Sequence, residues 1–298
     1  MLRTQSLATL FIALAAVACT HETTAATEPT DNTPVATATS TPTAEPVATA
    51  TATAAATAAP ASDGPKAVPV DVPPAIAAIV AAPDRSADDR ALDAGRHPGE
   101  MLAFFGIAPG QKIEEVGAGG GYTSELLARA VGPTGKVYGQ NPKLILEKFA
   151  EKPWSERLKK PVMKNVVRVD REFDSPIAPG VKDLDGVVVV LFYHDLYWMN
   201  ADRAKMNKAV FDALKPGGFY GIIDHSAKKG DGSSATQTLH RIEESTVRED
   251  VEKAGFKLDR EGFFLRNPDD TKDWSSSPSA AGEKRGSSDR FVLVFKKP

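Results

Sequence analysis

The chain has 298 residues, 25% of them charged, and a formal net charge of −3 at pH 7. From Ala67 onward, Lys plus Arg and Asp plus Glu balance at 34 each. That balance leaves no footprint for a polyanion, and no nucleic-acid partner is expected. Cys19 is the single cysteine, which excludes an intramolecular disulfide, a zinc knuckle or a cysteine nucleophile in the rest of the chain.

Arg3 precedes an apolar run, Leu7 to Ala18, shorter than the ~20 residues that a membrane-spanning helix needs. The run ends in Ala16-Val17-Ala18-Cys19. Ala-x-Ala is a signal-peptidase pattern, and small residues before a cysteine resemble the lipobox of bacterial lipoproteins, with Ala16 where Leu is usual. Residues 1–18 are therefore expected to be a signal peptide cut before Cys19, and Cys19 the lipidated residue. The protein is then exported, either periplasmic or anchored to a membrane by its lipid. Residues 19–66, mostly Thr, Ala and Pro, cannot bury enough apolar surface to offset their ordering entropy and read as a disordered tether. Residues 67–298 are long enough for one domain.

A β–α rhythm follows. In "RHPGEM", His97 precedes Pro98, a proline suited to a helix N-terminus. "QKIEEVG" (111–117) reads as a strand and "YTSELLARAV" (122–131) as a helix with Leu126, Leu127, Ala130 and Val131 on one face. "GKVYGQ" (135–140) is a second strand, "PKLILEKFAE" (142–151) a helix, and "NVVRVD" (165–170) a third strand. The basic cluster "KPWSERLKKPVMKNVVR" (152–168) reads as a solvated helix face. "LDGVVVVLFY" (184–193) is a continuous apolar run, as in a central parallel strand covered on both faces. "ADRAKMNKAVFDAL" (201–214) is helical until Lys215-Pro216-Gly217-Gly218 stops it, and "FYGIID" (219–224) is a fifth strand. Thr246 and Glu249 predict a capping box for a helix that Gly255 closes. Two further strands (256–266 and 290–298) have only a polar loop between them. Five βα-type units and a terminal hairpin predict an α/β fold, mostly parallel with an antiparallel edge.

The glycine-rich turn between the first strand and helix carries the chemistry. A dinucleotide fingerprint, Gly-x-Gly-x-x-Gly, fails at Tyr122, which weakens a nicotinamide oxidoreductase reading. Counting from Glu115 instead gives Glu-x-Gly-x-Gly-x-Gly through Gly117, Gly119 and Gly121. A carboxylate just before the loop suits a cationic ligand. The glycines permit close backbone approach, and the helix N-terminus suits a carboxylate.

This stretch resembles the first motif of class I S-adenosylmethionine-dependent methyltransferases, and the final hairpin matches their Rossmann-like, seven-stranded sheet. The resemblance covers residues 75–298. "VGPTGKVYG" is similar to the protein-isoaspartyl branch. "DAGRHPGEML", "LKPGG", "IIDHSA" and "RFVLVFKKP" are similar to exported predicted bacterial methyltransferases of unassigned substrate. The resemblance implies S-adenosylmethionine as cofactor, with Glu115, Gly117, Gly119 and Gly121 at its amino-acid end. Gln140 or Asn141 stands where the family has an acidic ribose ligand, and Asp170 matches the contact to the adenine amino group. Beyond the strand ends, His194, Asp224 and His225 are the candidate catalytic residues and Tyr193 a candidate to orient the acceptor. A metal held by Asp195, Asp224 and His225, as in catechol-type methyltransferases, is an alternative; no metal is assigned. His97 reads as a lid residue or a helix cap, and His240 and Arg241 as facing the acceptor or, the preferred reading, solvent. The acceptor is a small molecule or a protein side chain; a non-catalytic binding protein on an inherited fold is the competing reading.

Overall fold

A computed structural model describes residues 67–298, so the expected signal peptide, the lipidation residue Cys19 and the tether lie outside the described residues. Helices α1 (Pro74–Val80), α2 (Ala87–Arg96) and α3 (Pro98–Phe105) precede the sheet. The sheet strands are β1 (Lys112–Val116), β2 (Lys136–Asn141), β3 (Val166–Asp170), β4 (Leu184–Val190), β5 (Leu214–His225), β6 (Lys257–Gly262) and β7 (Arg290–Lys296). Their order is β3-β2-β1-β4-β5-β7-β6. Strands β1 to β5 are parallel, while β7 runs antiparallel to β5 and β6. This is the Rossmann-like methyltransferase sheet with its antiparallel C-terminal edge.

The period-2 alternation of β4 separates two cores. Val188 joins Leu126, Leu127 and Val131 of α4 (Tyr122–Val131) and Met101, Leu102 and Phe105 of α3 on one face. Val187 and Val189 join the other face, with Met206 and Val210 of α8 (Arg203–Ala213) and Val247 and Val251 of α10 (Glu244–Lys253). Both faces of β4 are thus covered, which is why its sequence is continuously apolar.

Local departures from the sequence reading have physical causes. β4 stops at Val190 because Leu191 adopts a left-handed conformation, φ 57°. The α8 helix does end at the Lys-Pro-Gly-Gly signal, but that segment enters β5 through a register shift between Leu184 and Gly186. The expected capping box is absent: α10 begins two residues before Thr246, after an extended Glu243 whose carboxylate instead accepts from the Gly230 and Gly232 amides, both at 2.9 Å. The helix after β2 is longer than expected, running through α5 (Lys143–Ile145), a π-helical turn (Leu146–Ala150) and α6 (Glu151–Leu158), and the short helices α7 (Asp195–Trp198) and α9 (Thr236–Leu239) follow β4 and β5.

Candidate functional site

At the C-terminal end of β1, the Glu115 side chain is 3% exposed and accepts a hydrogen bond from Ser124 Oγ in the first turn of α4. Burial pushes its carboxyl up to about 7, while Ser124, Thr123, Arg96 and Arg157 pull the other way. Gly117, Gly119 and Gly121 all have positive φ, 76°, 55° and 82°, conformations open to glycine at no steric cost. Their surroundings differ. A Cβ on Gly117 would sit 2.7 Å from Phe192 Cγ, and one on Gly121 2.4 Å from Trp154 Cζ3, but one on Gly119 would meet nothing within 4 Å. Packing therefore demands two of the glycines. The third faces open space.

The end of β2 braces this loop. Asn141 Oδ1 accepts from the Gly119 amide at 2.7 Å and its Nδ2 donates to the Gly119 carbonyl at 3.1 Å. Gln140 Oε1 accepts from the Gly117 amide at 3.0 Å, and Nε2 donates to the Arg171 carbonyl at 2.5 Å. Both amides are fully buried. Asn141, expected from the resemblance near the cofactor ribose, spends part of its hydrogen-bonding capacity on the loop's own backbone. Asp170 ends β3 as expected, but its half-exposed carboxylate accepts from Arg168 Nε at 2.8 and 3.0 Å. The structure does not bring it to the glycine loop as a free group.

The basic cluster of 152–168 is not a solvated face throughout. Trp154 is fully buried against Gly121 and Gly139. Arg157 donates to the Gly120 carbonyl at 2.6 Å and to Asp89 and Glu125, each at 2.6 Å, tying the loop to α2 and α4. Tyr122, where a dinucleotide motif has glycine, donates its hydroxyl to Asp93 at 2.7 Å, and Arg96 stacks on its ring at 4.5 Å. The Arg96 guanidinium has no hydrogen-bond partner among the described residues; it lines a cavity of about 10 Å³ with Tyr122, Thr123, Leu191, Ile223 and Arg290. That volume is about one water probe, and its walls join the N-terminus of α4 to the ends of β4 and β5.

A second polar cluster lies at those strand ends. His194 donates its backbone N–H to Asp224 Oδ2 at 2.7 Å, and its Nδ1 lies 2.7 Å from Asp224 Oδ1. Its Nε2 faces His240 Nδ1 at 3.2 Å and Asp195 Oδ1 at 3.2 Å. Burial lowers the His194 pKa, but the Asp224 and Asp195 carboxylates outweigh it and raise the imidazole to about 10. Burial raises the Asp195 carboxyl, yet its hydrogen bonds from His194 and His240 hold it below the usual range. His225 does not join this cluster: its Nδ1 lies 2.7 Å from Ser288 Oγ. Burial and the nearby His194, Arg290, Arg241 and Arg96 charges keep it neutral. The catechol-type metal set is therefore not assembled, because Asp224 is bound to His194 and His225 is directed to Ser288.

Two other readings are corrected, and His97 takes the helix-terminal one of its two expected places. Tyr193 is fully buried, its hydroxyl accepting from Asn207 at 2.9 Å, so it cannot orient an acceptor. Arg241 is fully buried and paired with Asp270 at 2.7 Å, and the partly exposed His240 turns its Nδ1 to His194. His97 is the left-handed junction between α2 and α3, φ 48°, with Nδ1 3.1 Å from Glu100: a helix-joining residue. The contacts of Arg157 with Gly120, Trp154 with Gly121 and His240 with His194 span 33 or more positions, so local sequence did not show them. An isolated Trp inside a charged run was the one signal of burial.

No family model matches the chain. It is 34% identical over 120 residues to protein-L-isoaspartate O-methyltransferase of Aeropyrum pernix, which covers 40% of this chain and 41% of that relative. A SAM-dependent methyltransferase from Aquifex aeolicus shares 18% identity at a TM-score of 0.50, over 71% of this chain and 97% of its own. A candidate sarcosine dimethylglycine methyltransferase from Galdieria sulphuraria gives 18% and 0.50, over 72% and 89%. At these identities the structural likeness defines the fold, a Rossmann-like methyltransferase sheet. The chain spans less than half the length of the A. pernix relative.

Proposed function

We propose that the protein binds S-adenosylmethionine at the glycine loop and transfers its methyl group to an acceptor seated beyond β4 and β5. The observation that carries this reading is the contrast among the three positive-φ glycines, with Gly119 alone facing open space in the loop that follows the buried Glu115. Such space admits a ligand's backbone-close approach, and a carboxylate there matches an ammonium group. The partial identity to a methyltransferase supports the same assignment.

When bound, the cofactor supplies a methyl group activated by a sulfonium centre. The chain's own part is positioning, which aligns an acceptor lone pair with that methyl. Glu115 and the loop amides would hold the amino-acid end. Asn141 would offer a ribose hydroxyl a neutral hydrogen bond, weaker than a charge-assisted one. His194, with its Asp224 partner, and His225 are the polar groups nearest the expected acceptor side. The acceptor is a small molecule or a protein side chain. The Ala-x-Ala-Cys pattern supports export and anchoring through Cys19.

The engagement of Asn141 by the Gly119 backbone favours a second reading, a binding protein on this fold that does not turn over. Thermal melting of the full-length protein with S-adenosylmethionine, its demethylated product and NADH tests the ligand assignment. At 100 times Kd, a ligand specific for the folded state adds about 2.7 kcal/mol, a rise of roughly 5–10 °C for a domain of this size. The expected result is a rise with the two sulfur compounds and none with NADH. A rise with NADH alone, or none near millimolar ligand, contradicts the proposal. Release of demethylated cofactor in the presence of an acceptor then separates enzyme from binding protein.

A further inference from the structure

We propose that His194, Asp195 and His240 form a site for a divalent transition-metal ion of the zinc class, with one coordination position left open. The geometry comes first. His194 Nε2, His240 Nδ1 and Asp195 Oδ1 make a triangle with edges of 3.2, 3.2 and 3.4 Å. Donors bonded at 2.0–2.1 Å to one tetrahedral centre lie about 3.3 Å apart, so the observed edges bracket the spacing that an ion would need. These are the three groups whose ligand atoms converge among the described residues.

The surroundings orient each donor. Asp224 receives Nδ1–H and backbone N–H of His194 through its two oxygens, both at 2.7 Å, which fixes the ring with Nε2 directed at the triangle, where an ion would displace the Nε2 proton. Trp198 Nε1 donates to Asp195 Oδ1 at 2.6 Å and holds the carboxylate in place, and an ion would take over from the His194 and His240 contacts that this oxygen now makes. His240 adopts φ 50°, ψ 51°, a conformation that costs a non-glycine residue free energy. Ser276 Oγ donates to the His240 carbonyl at 2.6 Å and keeps it there. A strained backbone that presents an imidazole to two other donors is the arrangement expected of a ligand.

Chemistry selects the ion. Two imidazoles and one carboxylate prefer zinc, cobalt or nickel to magnesium or calcium, which favour all-oxygen sets. Side-chain exposure rises from 3% at His194 to 14% at Asp195 and 27% at His240, so the triangle has one wet side. A fourth ligand, a water or an acceptor oxygen, can enter there. A metal-bound oxygen ionises more readily than a free one, and use of the ion in methyl transfer rests on the reading above. Metal binding does not, and it is measured without cofactor.

The test uses the untagged full-length protein, stripped with a chelator, dialysed, and titrated with Zn²⁺ or Co²⁺. The expected result is one equivalent bound by elemental analysis, with the strong visible d–d bands of four-coordinate Co²⁺. Asp195→Asn and His240→Asn should each abolish those bands; Asn tolerates the left-handed backbone at 240, so folding is retained and checked by melting. Trp198→Phe should keep the bands and weaken Co²⁺ binding about 10- to 100-fold. His97→Ala, away from the triangle, should bind as the parent does. Less than stoichiometric binding by the parent, or equal Co²⁺ spectra in the parent and both ligand variants, overturns the site and leaves a hydrogen-bonded cluster. Loss of cofactor binding with metal binding intact would overturn only the preceding proposal.

Discussion

Gly121 and Gly119 are two positions apart, yet substitution at each asks a different question. Gly121→Ala drives a methyl group into the Trp154 ring and must also hold φ 82°. The overpacking and left-handed terms together predict a loss of roughly 2–5 kcal/mol, read from the denaturant midpoint. Gly119→Ala meets no neighbour and should lose only about 1–2 kcal/mol, the left-handed term alone. Glu115 adds a pH dependence. Its folded pKa is raised to about 7 by burial, so its contribution to stability is complete below about 4.5 and is lost as pH rises through 7. A Glu115→Gln chain should therefore melt progressively higher than the parent between about pH 5 and pH 8. A cationic ligand needs the ionised form, so cofactor affinity should rise with pH through 7 in the parent and stay flat in Glu115→Gln. Affinity that falls with pH would remove Glu115 from the site. The motif Glu-x-Gly-x-Gly-x-Gly was legible because its spacing is local. That Asn141 and Gln140 brace the loop was not, since their partners lie across a strand pairing.

The polar segment between β6 and β7 illustrates what an element can hold without regular structure. Arg241 and Asp270 are both fully buried, and Asp270 also accepts from the Asp289 and Lys272 amides at 2.7 and 3.0 Å. Removing one partner leaves an uncompensated buried charge. Asp270→Ala should cost about 3–5 kcal/mol in urea titration, whereas Arg241→Met with Asp270→Leu should recover much of that loss. Equal destabilisation by the single and double variants would show that the pair matters through its backbone contacts alone. The strands and the helices facing them were readable from apolar periodicity, whereas this segment is polar and aperiodic in sequence. Part of its order comes from pairings 29 or more residues apart, such as Arg241 with Asp270 and His240 with Ser276.

On the scale of the whole molecule, a sheet of order β3-β2-β1-β4-β5-β7-β6 places every candidate group at one edge, the C-terminal ends of the parallel strands. Ligands of open α/β sheets bind there, so the glycine loop after β1 and the histidine cluster after β4 and β5 are parts of one face. The fold was legible as a rhythm of elements, while fold by itself assigns no substrate. The central claim is that the open position at Gly119 belongs to a cofactor. Its most direct test is calorimetric titration of S-adenosylmethionine into the full-length protein and into Gly119→Arg, whose side chain would occupy that space. The account predicts a Kd on the order of micromolar for the parent and no measurable heat for Gly119→Arg, with the variant still folded. Absence of binding by the parent near millimolar ligand, or equal binding by both chains, would contradict it.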